Sequence, residues 1–263
     1  MIQFIESLDL PALEPYRTLR RPLEHIRQGI FVAEGDKVAR RLLKSRLMVI
    51  SILLTPQWLE QLEKEHNLEG IEIFVSEKKV LDTIVGYRLH QGIMAVGRVP
   101  DEPVLSDLVA ILPRPFLLVA LDGIASAENV GVIVRNCGAF GVHAILAGHT
   151  ASSPYLRRAV RNSMGAVFEL PVLHVHLPDV LPKLGCRIVS TTPEAGTPVQ
   201  SLDASEDLCI IFGNEGSGIS AEVLRVSHVR ATIPMVSGFD SLNVGSASAV
   251  FLYAIVNQRL KTS

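Results

Sequence analysis

FGNEGSGIS, at residues 212–220, begins with the last residue of an apolar run at 208–212. It gives the strongest local indication of the fold. The apolar run is typical of a strand buried on both faces, and the glycines and polar residues after it are typical of a tight turn. In open α/β sheets, ligands bind in crevices beyond the carboxyl ends of the strands. The segment therefore predicts a binding loop at the end of a buried strand.

Two further segments join a strand-like run to glycine, asparagine and serine residues in the same way. They are ENVGVIVRN at residues 128–136 and IPMVSGFDSLNVGSASA at residues 233–249. Because they have the same character as the 212–220 loop, we expect them to contribute to the same kind of ligand crevice.

The region around these segments alternates strand-like and helix-like patterns, with candidate strands at residues 116–122, 143–147, 167–170, 187–191, 208–212 and 229–233. Such alternation predicts an α/β fold with a mainly parallel sheet and helices on both faces. The final helix, residues 243–260, is apolar over much of its length and begins with small residues. It is expected to be buried against another helix or a second subunit.

A smaller α/β module precedes this region. Its strand-like runs are residues 47–55, 71–76 and 91–99, and its helical periodicity falls at residues 36–44, 57–65 and 78–84. Three prolines and three acidic residues in the segment 101–115 indicate a linker. We therefore expect one domain at 1–100, a linker at 101–115 and a second domain at 116–263.

The composition is that of a folded globular protein, because 48% of the 263 residues are hydrophobic and 20% are charged. No run approaches the roughly 18 unbroken apolar residues of a membrane span, and the first residues do not resemble a signal peptide, so a cytoplasmic protein is expected. The three cysteines form no CxxC pair, and His174 and His176 have no third ligand nearby in sequence. We expect no metal site.

The net charge of −2 conceals a local basic excess. Residues 17–46 contain nine basic and three acidic residues, and a second basic cluster has no acid between residues 151 and 168. Such clusters are either solvated faces or contacts for nucleic acid. The candidate RNA-binding residues are Arg40, Arg41, Lys44, Arg157, Arg158 and Arg161.

One motif on its own suggests a nucleotide cofactor. Residues 216–221 fit the G-x-G-x-x-A form of the dinucleotide fingerprint, with Asp240 further along the chain. The fingerprint should lie in the first βα turn of its sheet, whereas here it follows five candidate strands. A nicotinamide-dependent oxidoreductase and glycines that serve turn geometry alone both remain open at this point.

The combination of segments is much more specific. N-x-G-x-x-x-R at 129–135, G-N-E-G-x-G at 213–218, and I-P-M at 233–235 with S-L-N-V at 241–244 resemble, in order and spacing, the three motifs of the SpoU (TrmH-like) RNA 2'-O-ribose methyltransferases of the SPOUT class. The resemblance spans nearly all of residues 116–260. The first domain resembles the L30e-like substrate-binding domain that often precedes this catalytic domain.

The resemblance implies a C-terminal trefoil knot that binds S-adenosylmethionine, a ribosomal or transfer RNA substrate, and a homodimer formed through the catalytic domain. It implies cofactor contacts near Thr191, Gly213, Ile233 and Leu242. It assigns the polar functional positions to Asn129, Arg135, Glu215, Ser241 and Asn243. Family members commonly carry Asp-Pro before the first motif, where this chain has Ser126 and Ala127. A non-catalytic RNA-binding or ribosome-assembly factor on the same fold is the alternative.

Arg135 is the predicted organiser of methyl transfer. Some accounts of the family make this arginine the base, but a guanidinium gives up its proton very reluctantly. We favour a cation that holds the adjacent phosphate and stabilises the developing alkoxide, while a phosphate oxygen or water takes the proton. Aromatic residues make up only 5% of the chain, so RNA binding through phosphates and shape is expected.

Overall fold

The computed structural model describes residues 1–85, 92–194, 196–236 and 241–262. Strands β1–β12 are Ile2–Phe4, Ile30–Glu34, Val49–Leu54, Glu72–Val75, Ile93–Arg98, Leu117–Asp122, Ala144–Gly148, Val172–Val175, Arg187–Thr191, Thr197–Pro198, Leu208–Gly213 and Val229–Thr232. Helices α1–α11 are Glu14–Arg17, Pro22–Gln28, Asp36–Lys44, Pro56–Glu65, Lys78–Val85, Leu105–Ile111, Ala127–Ala139, Arg157–Asn162, Leu177–Val180, Ala221–Arg225 and Val244–Thr262. Short 3-10 helices cover Pro11–Leu13, Ala166–Phe168, Leu181–Lys183 and Val199–Ser201.

The chain forms two compact units. The first comprises Met1–Asp101 together with Tyr155–Phe168, and the second comprises Glu102–Pro154 and Glu169–Ser263. The segment 101–115, expected to be a linker, contains helix α6. The L30e-like character of the first unit stays a prediction.

The second unit is built on a seven-stranded sheet in the order β10-β12-β9-β11-β6-β7-β8, and every pairing is parallel. Strand β6, beside the central strand β11, is buried along its whole length, as its apolar run at residues 117–121 requires. The predicted α/β fold with a parallel sheet and helices is confirmed. The trefoil knot stays a prediction.

One predicted strand is wrong. The predicted strand at residues 167–170 begins within a 3-10 helix, Ala166–Phe168. The strand of this region is β8, which starts at Val172. The ring of Phe168 stacks on Phe31 in the first unit, with centroids 5.3 Å apart. The apolar side chain is therefore buried against the first sheet and does not take part in a strand ladder.

The first unit contains a five-stranded sheet in the order β1-β4-β3-β5-β2. Helix α8 packs against the edge strand β2, where Glu34 is only 8% exposed. The Glu34 carboxylate pairs with Arg157 and lies 3.3 Å from the guanidinium of Arg161. Because a buried carboxylate needs such compensation, these two arginines contribute to the fold of the first unit.

No helix in the described ranges is both long enough and apolar enough to cross a membrane.

Candidate active site

The candidate site lies at the carboxyl ends of the central strands of the second unit. The sheet order turns back here, because the chain runs from β6 outward to β8 on one side and returns through β9 and β11 on the other. Such a switch point leaves a crevice between diverging loops. A cavity of about 500 Å³ opens at this edge. Its lining includes Thr191, Gly213, Ile233, Ser241, Leu242 and Asn243.

Gly213 ends β11 and begins the loop that forms one wall of the cavity. A Cβ atom at this position would lie 2.5 Å from the Gly218 carbonyl carbon and 2.5 Å from the Ile219 nitrogen. No side chain fits there, so glycine is required for the chain to fold back so tightly. The return is closed by two backbone hydrogen bonds between Asn214 and Gly218, each 2.9 Å long.

Two polar side chains that the motif assignment left without a role hold this loop in place. The Asn214 side chain donates to the Gly123 carbonyl at 2.7 Å and accepts from the Gly216 N–H at 2.9 Å. The buried Asp122 carboxylate accepts from the Ser220 N–H at 2.7 Å. In the sequence, Asn214 directly follows β11 and Asp122 is the last residue of β6. A polar residue at the end of an apolar strand was the signal that could have found them. The loop is therefore fixed to the end of β6 before any ligand binds.

Glu215 connects this loop to helix α7. Its carboxylate accepts hydrogen bonds from the Asn129 side chain at 2.8 Å and from the N–H groups of Ala125 and Ser126 at 3.1 and 3.2 Å. Partial burial is the largest single influence on the pKa of Glu215 and raises it, but the hydrogen bonds together outweigh it. The pKa lies below its ordinary value, so the carboxylate is an anchored hydrogen-bond acceptor at neutral pH.

Asn243, just before helix α11, completes the connection. Its side-chain nitrogen donates to the Asn129 side-chain oxygen at 3.1 Å. Asn129, Glu215 and Asn243 therefore form one hydrogen-bonded network that joins the three segments distinguished in the sequence, the first of which lies in helix α7. Ser241 lies beside it in the wall of the cavity.

Arg135 is not part of this network. It lies six residues after Asn129 on α7, which puts the two side chains about 120° apart around the helix. Its side chain is exposed, and within the described ranges it makes no hydrogen bond or ion pair.

The four residues predicted to contact a cofactor all line the cavity. The Thr191 hydroxyl donates to the Ile211 carbonyl at 2.8 Å, so its donor hydrogen is already used within the sheet. Apolar surface comes from Ile233 and Leu242, and also from Phe251 on α11. Phe251 was not predicted, because within an apolar helix nothing in the sequence distinguishes it from its neighbours.

The predicted RNA-binding residues differ in their availability. The Arg40 side chain pairs with Asp36 and Glu65 and lies over the ring of Trp58, with 5.5 Å to the centroid. Arg157 is committed to Glu34. Arg41, Lys44, Arg158 and Arg161 are exposed.

His174 and His176 are each paired with a carboxylate. His174 Nδ1 lies 2.6 Å from Glu102 Oε1, and His176 Nδ1 lies 2.9 Å from Asp179 Oδ2. Across residues 1–85, 92–194, 196–236 and 241–262, no three metal-ligating side chains are close enough to hold an ion.

A sequence model of the SpoU rRNA Methylase family matches residues 116–253, more than half of the chain. The chain belongs to the SpoU rRNA methylase family. The matched residues include all three sequence motifs and the Asn129–Glu215–Asn243 network. The family predicted from those motifs is therefore confirmed.

Relatives match along nearly the whole chain. A tRNA/rRNA methyltransferase of Mycobacterium tuberculosis, itself uncharacterized, is 32% identical over 265 residues, which covers 96% of this chain and 91% of the relative. The 23S rRNA (guanosine(2553)-2'-O)-methyltransferase RlmP of Bacillus subtilis is 26% identical over 253 residues, covering 95% and 97%. The AdoMet-bound rRNA methyltransferase from Sinorhizobium meliloti superposes with a TM-score of 0.84 at 24% identity over 98% of both chains, which shows a shared fold.

The network predicts a pH dependence for the stability of the site. Because the pKa of Glu215 is lowered in the folded protein, its carboxylate stabilises the fold above the ordinary pKa of 4.5, and this contribution is lost as the pH falls through the folded value. Glu215→Gln should therefore lower the melting temperature at neutral pH, and the difference from wild type should shrink in acid.

Glu222→Gln is the matched control, since this carboxylate is exposed in the neighbouring helix α10. Its melting temperature should follow that of wild type at every pH. A Glu215→Gln deficit that stays constant from neutral to acid pH would contradict the role of the ionised carboxylate.

Proposed function

We propose that the protein transfers a methyl group from S-adenosylmethionine to a ribose 2'-hydroxyl of ribosomal or transfer RNA. The observation that carries the proposal is that two of the three family motifs line one cavity, and that Asn129 of the first motif is hydrogen-bonded to Glu215 and Asn243 in the cavity wall. Membership of the SpoU family supports it, as do relatives named as 23S rRNA 2'-O-methyltransferases. A ribosomal or transfer RNA substrate implies a cytoplasmic enzyme.

The cavity fits the cofactor in size and chemistry. Its volume of about 500 Å³ is that of a typical small-molecule site. Ile233 and Leu242 provide apolar surface for an adenine, and the loop after Gly213 brings backbone donors and acceptors to the cavity wall. When bound, S-adenosylmethionine supplies an electrophilic methyl group on a sulfonium.

The polar residues of the site position the reacting groups. Glu215 keeps Asn129 and the start of α7 fixed, which leaves the remaining amide hydrogens of Asn129 and Asn243 to orient a ribose. Arg135 provides the positive charge that holds a phosphate and stabilises the alkoxide that develops at the 2'-oxygen. A phosphate oxygen or water accepts the proton.

The separation of Arg135 from its own network supports a composite site. Arg135 is exposed and makes no hydrogen bond or ion pair in the described ranges, which leaves the guanidinium open to the cofactor cavity of a second subunit. The exposed apolar residues Val250 and Tyr253 on α11 offer surface for such a two-fold contact. The functional enzyme in this proposal is a homodimer.

Methyl transfer itself is the first test. Purified protein with isotope-labelled S-adenosylmethionine and total RNA should yield labelled 2'-O-methylnucleosides on digestion and mass spectrometry. RNA binding without transfer would favour the non-catalytic ribosome-assembly alternative. Stabilisation by a nicotinamide cofactor, and not by S-adenosylmethionine, would favour the oxidoreductase; a ligand at 100 times its Kd stabilises by about 2.7 kcal/mol.

The first unit supplies an RNA-binding surface in this proposal. Lys37, Arg41 and Lys44 are exposed on α3 with spacings of four and three residues, so they share one side of the helix, which we call the α3 cationic face. Arg158 and Arg161 are exposed on α8 in the same unit. These exposed cations suit the phosphate backbone of RNA, and Arg161 also pairs with Glu34, whereas the less exposed Arg40 and Arg157 are held in ion pairs with carboxylates.

Removing charge from the α3 cationic face should weaken RNA binding. Each lost phosphate contact lowers the slope of log affinity against log salt by about 0.7 to 0.9, so Arg41→Gln with Lys44→Gln should lower it by about 1.5. The control is Lys183→Gln with Arg225→Gln, which removes the same charge from the second unit. Equal losses in both double variants, measured by salt titration of RNA binding, would contradict a specific surface on α3.

The composite site predicts complementation between two inactive variants. Arg135→Ala removes the cation, and Ala247→Trp fills the cavity from the first turn of α11. If the arginine acts across the dimer, a heterodimer has one site with both defects and one intact site, so it should recover about half of the wild-type activity. Heterodimers purified through two affinity tags should be assayed for methyl transfer. Inactive heterodimers would show that Arg135 acts within its own subunit.

A further inference from the structure

Asn136, one residue after Arg135 on α7, makes a close contact with the start of α11. Its side-chain nitrogen donates to the Gly245 carbonyl at 2.9 Å and to the Ser248 hydroxyl at 2.8 Å. The Ser248 hydroxyl donates in turn to the same Gly245 carbonyl at 2.7 Å. Ser248 is completely buried, so this triangle of hydrogen bonds is shielded from water.

The two helices approach closely at this point. A Cβ atom at Gly245 would lie 2.7 Å from the Cγ1 atom of Val132, so the backbone of α11 rests directly on α7. Only a residue without a side chain permits this approach, and it brings the Gly245 carbonyl within reach of Asn136.

The same turn of α11 forms a wall of the cofactor cavity. Val244 and Ala247 line it, and Phe251 extends this wall one turn further along α11. The Gly245 N–H donates to the Asn243 side chain at 2.9 Å. A shift of this turn would therefore change both the width of the cavity and the direction of the Asn243 amide.

Asn129 and Asn136 are two turns apart on the same side of α7, since seven residues bring a helix almost back to its starting angle. Asn129 holds Asn243, which precedes α11, and Asn136 holds the first turn of α11 itself. The two asparagines thus fix the start of α11 at two points.

We infer that Asn136 is a positioning residue of the cofactor site, which acts by fixing the first turn of α11 against α7. It touches neither cavity nor substrate and works through Gly245 and Ser248. This inference rests on the proposed function, because it assigns S-adenosylmethionine to the cavity. Its consequence is that loss of the Asn136 side chain weakens the cofactor at a site that Asn136 does not line.

The test is calorimetric binding of S-adenosylmethionine to the full-length protein. Asn136→Ala should raise the Kd about tenfold, the effect of one lost hydrogen bond of the stronger kind. Ser248→Ala keeps the bond from Asn136 to Gly245 and should raise the Kd by a smaller factor. The double variant should bind more tightly than the product of the two single effects predicts, because the bond between Asn136 and Ser248 is lost in both single variants.

Val134→Ala provides the control for a merely structural effect. Val134 is completely buried in α7 two residues away, so its truncation lowers the melting temperature through lost packing. Its apolar side chain takes no part in the hydrogen bonds among Asn136, Gly245 and Ser248, so the Kd should stay within about twofold of wild type. In steady-state methylation, Asn136→Ala should raise the KM for the cofactor and leave the KM for RNA unchanged.

The binding measurements test the proposed function and the role of Asn136 separately. Wild-type protein that fails to bind S-adenosylmethionine would overturn the proposed function. Wild-type binding, with a Kd for Asn136→Ala equal to that of Val134→Ala, would overturn the role of Asn136 and leave the proposed function intact. Should Asn136→Ala fail to fold, an unchanged Kd in Ser248→Ala would equally overturn it.

Discussion

The active-site end of the sheet depends on one close backbone contact. At Gly213 the chain turns back so tightly that a Cβ atom would lie 2.5 Å from the backbone of residues 218–219. This turn presents Glu215 to the start of α7 and leaves backbone groups of the loop along the cavity wall. Any side chain at Gly213 would open the turn and move the Glu215 carboxylate away from its hydrogen-bond donors at the start of α7.

The loop after Gly213 organises the site because its Glu215 side chain is held in a hydrogen-bonded network. Glu215 fixes Asn129, Asn129 holds Asn243, and the first turn of α11 then closes the cavity. Each step exchanges a flexible polar side chain for a fixed hydrogen-bonded one, so the site is organised before any ligand arrives. Arg135 stands apart from this arrangement, exposed on the same helix, and the proposed composite site depends on that separation.

The sequence predicted the parallel sheet and the binding loop at residues 212–220, because apolar strands and glycine turns leave local signatures. The resemblance to the family implied four residues that line the cavity, Thr191, Gly213, Ile233 and Leu242. The sequence did not predict contacts that depend on distant packing. The segment 155–168 belongs to the first unit because Phe168 stacks on Phe31 and Arg157 pairs with Glu34, more than a hundred residues away. For the same reason Arg40 was assigned to RNA, whereas the structure commits it to Asp36 and Glu65.

Cofactor binding by two glycine variants of the same loop tests whether the close turn at Gly213 builds the cofactor site. Gly213→Ala introduces a Cβ where none fits, whereas the same change at Gly216 meets no atom closer than the Asn214 side-chain oxygen at 3.6 Å. We expect Gly213→Ala to lose calorimetric binding of S-adenosylmethionine and Gly216→Ala to retain it. Equal binding by the two variants would contradict the claim that the close turn at Gly213 builds the cofactor site.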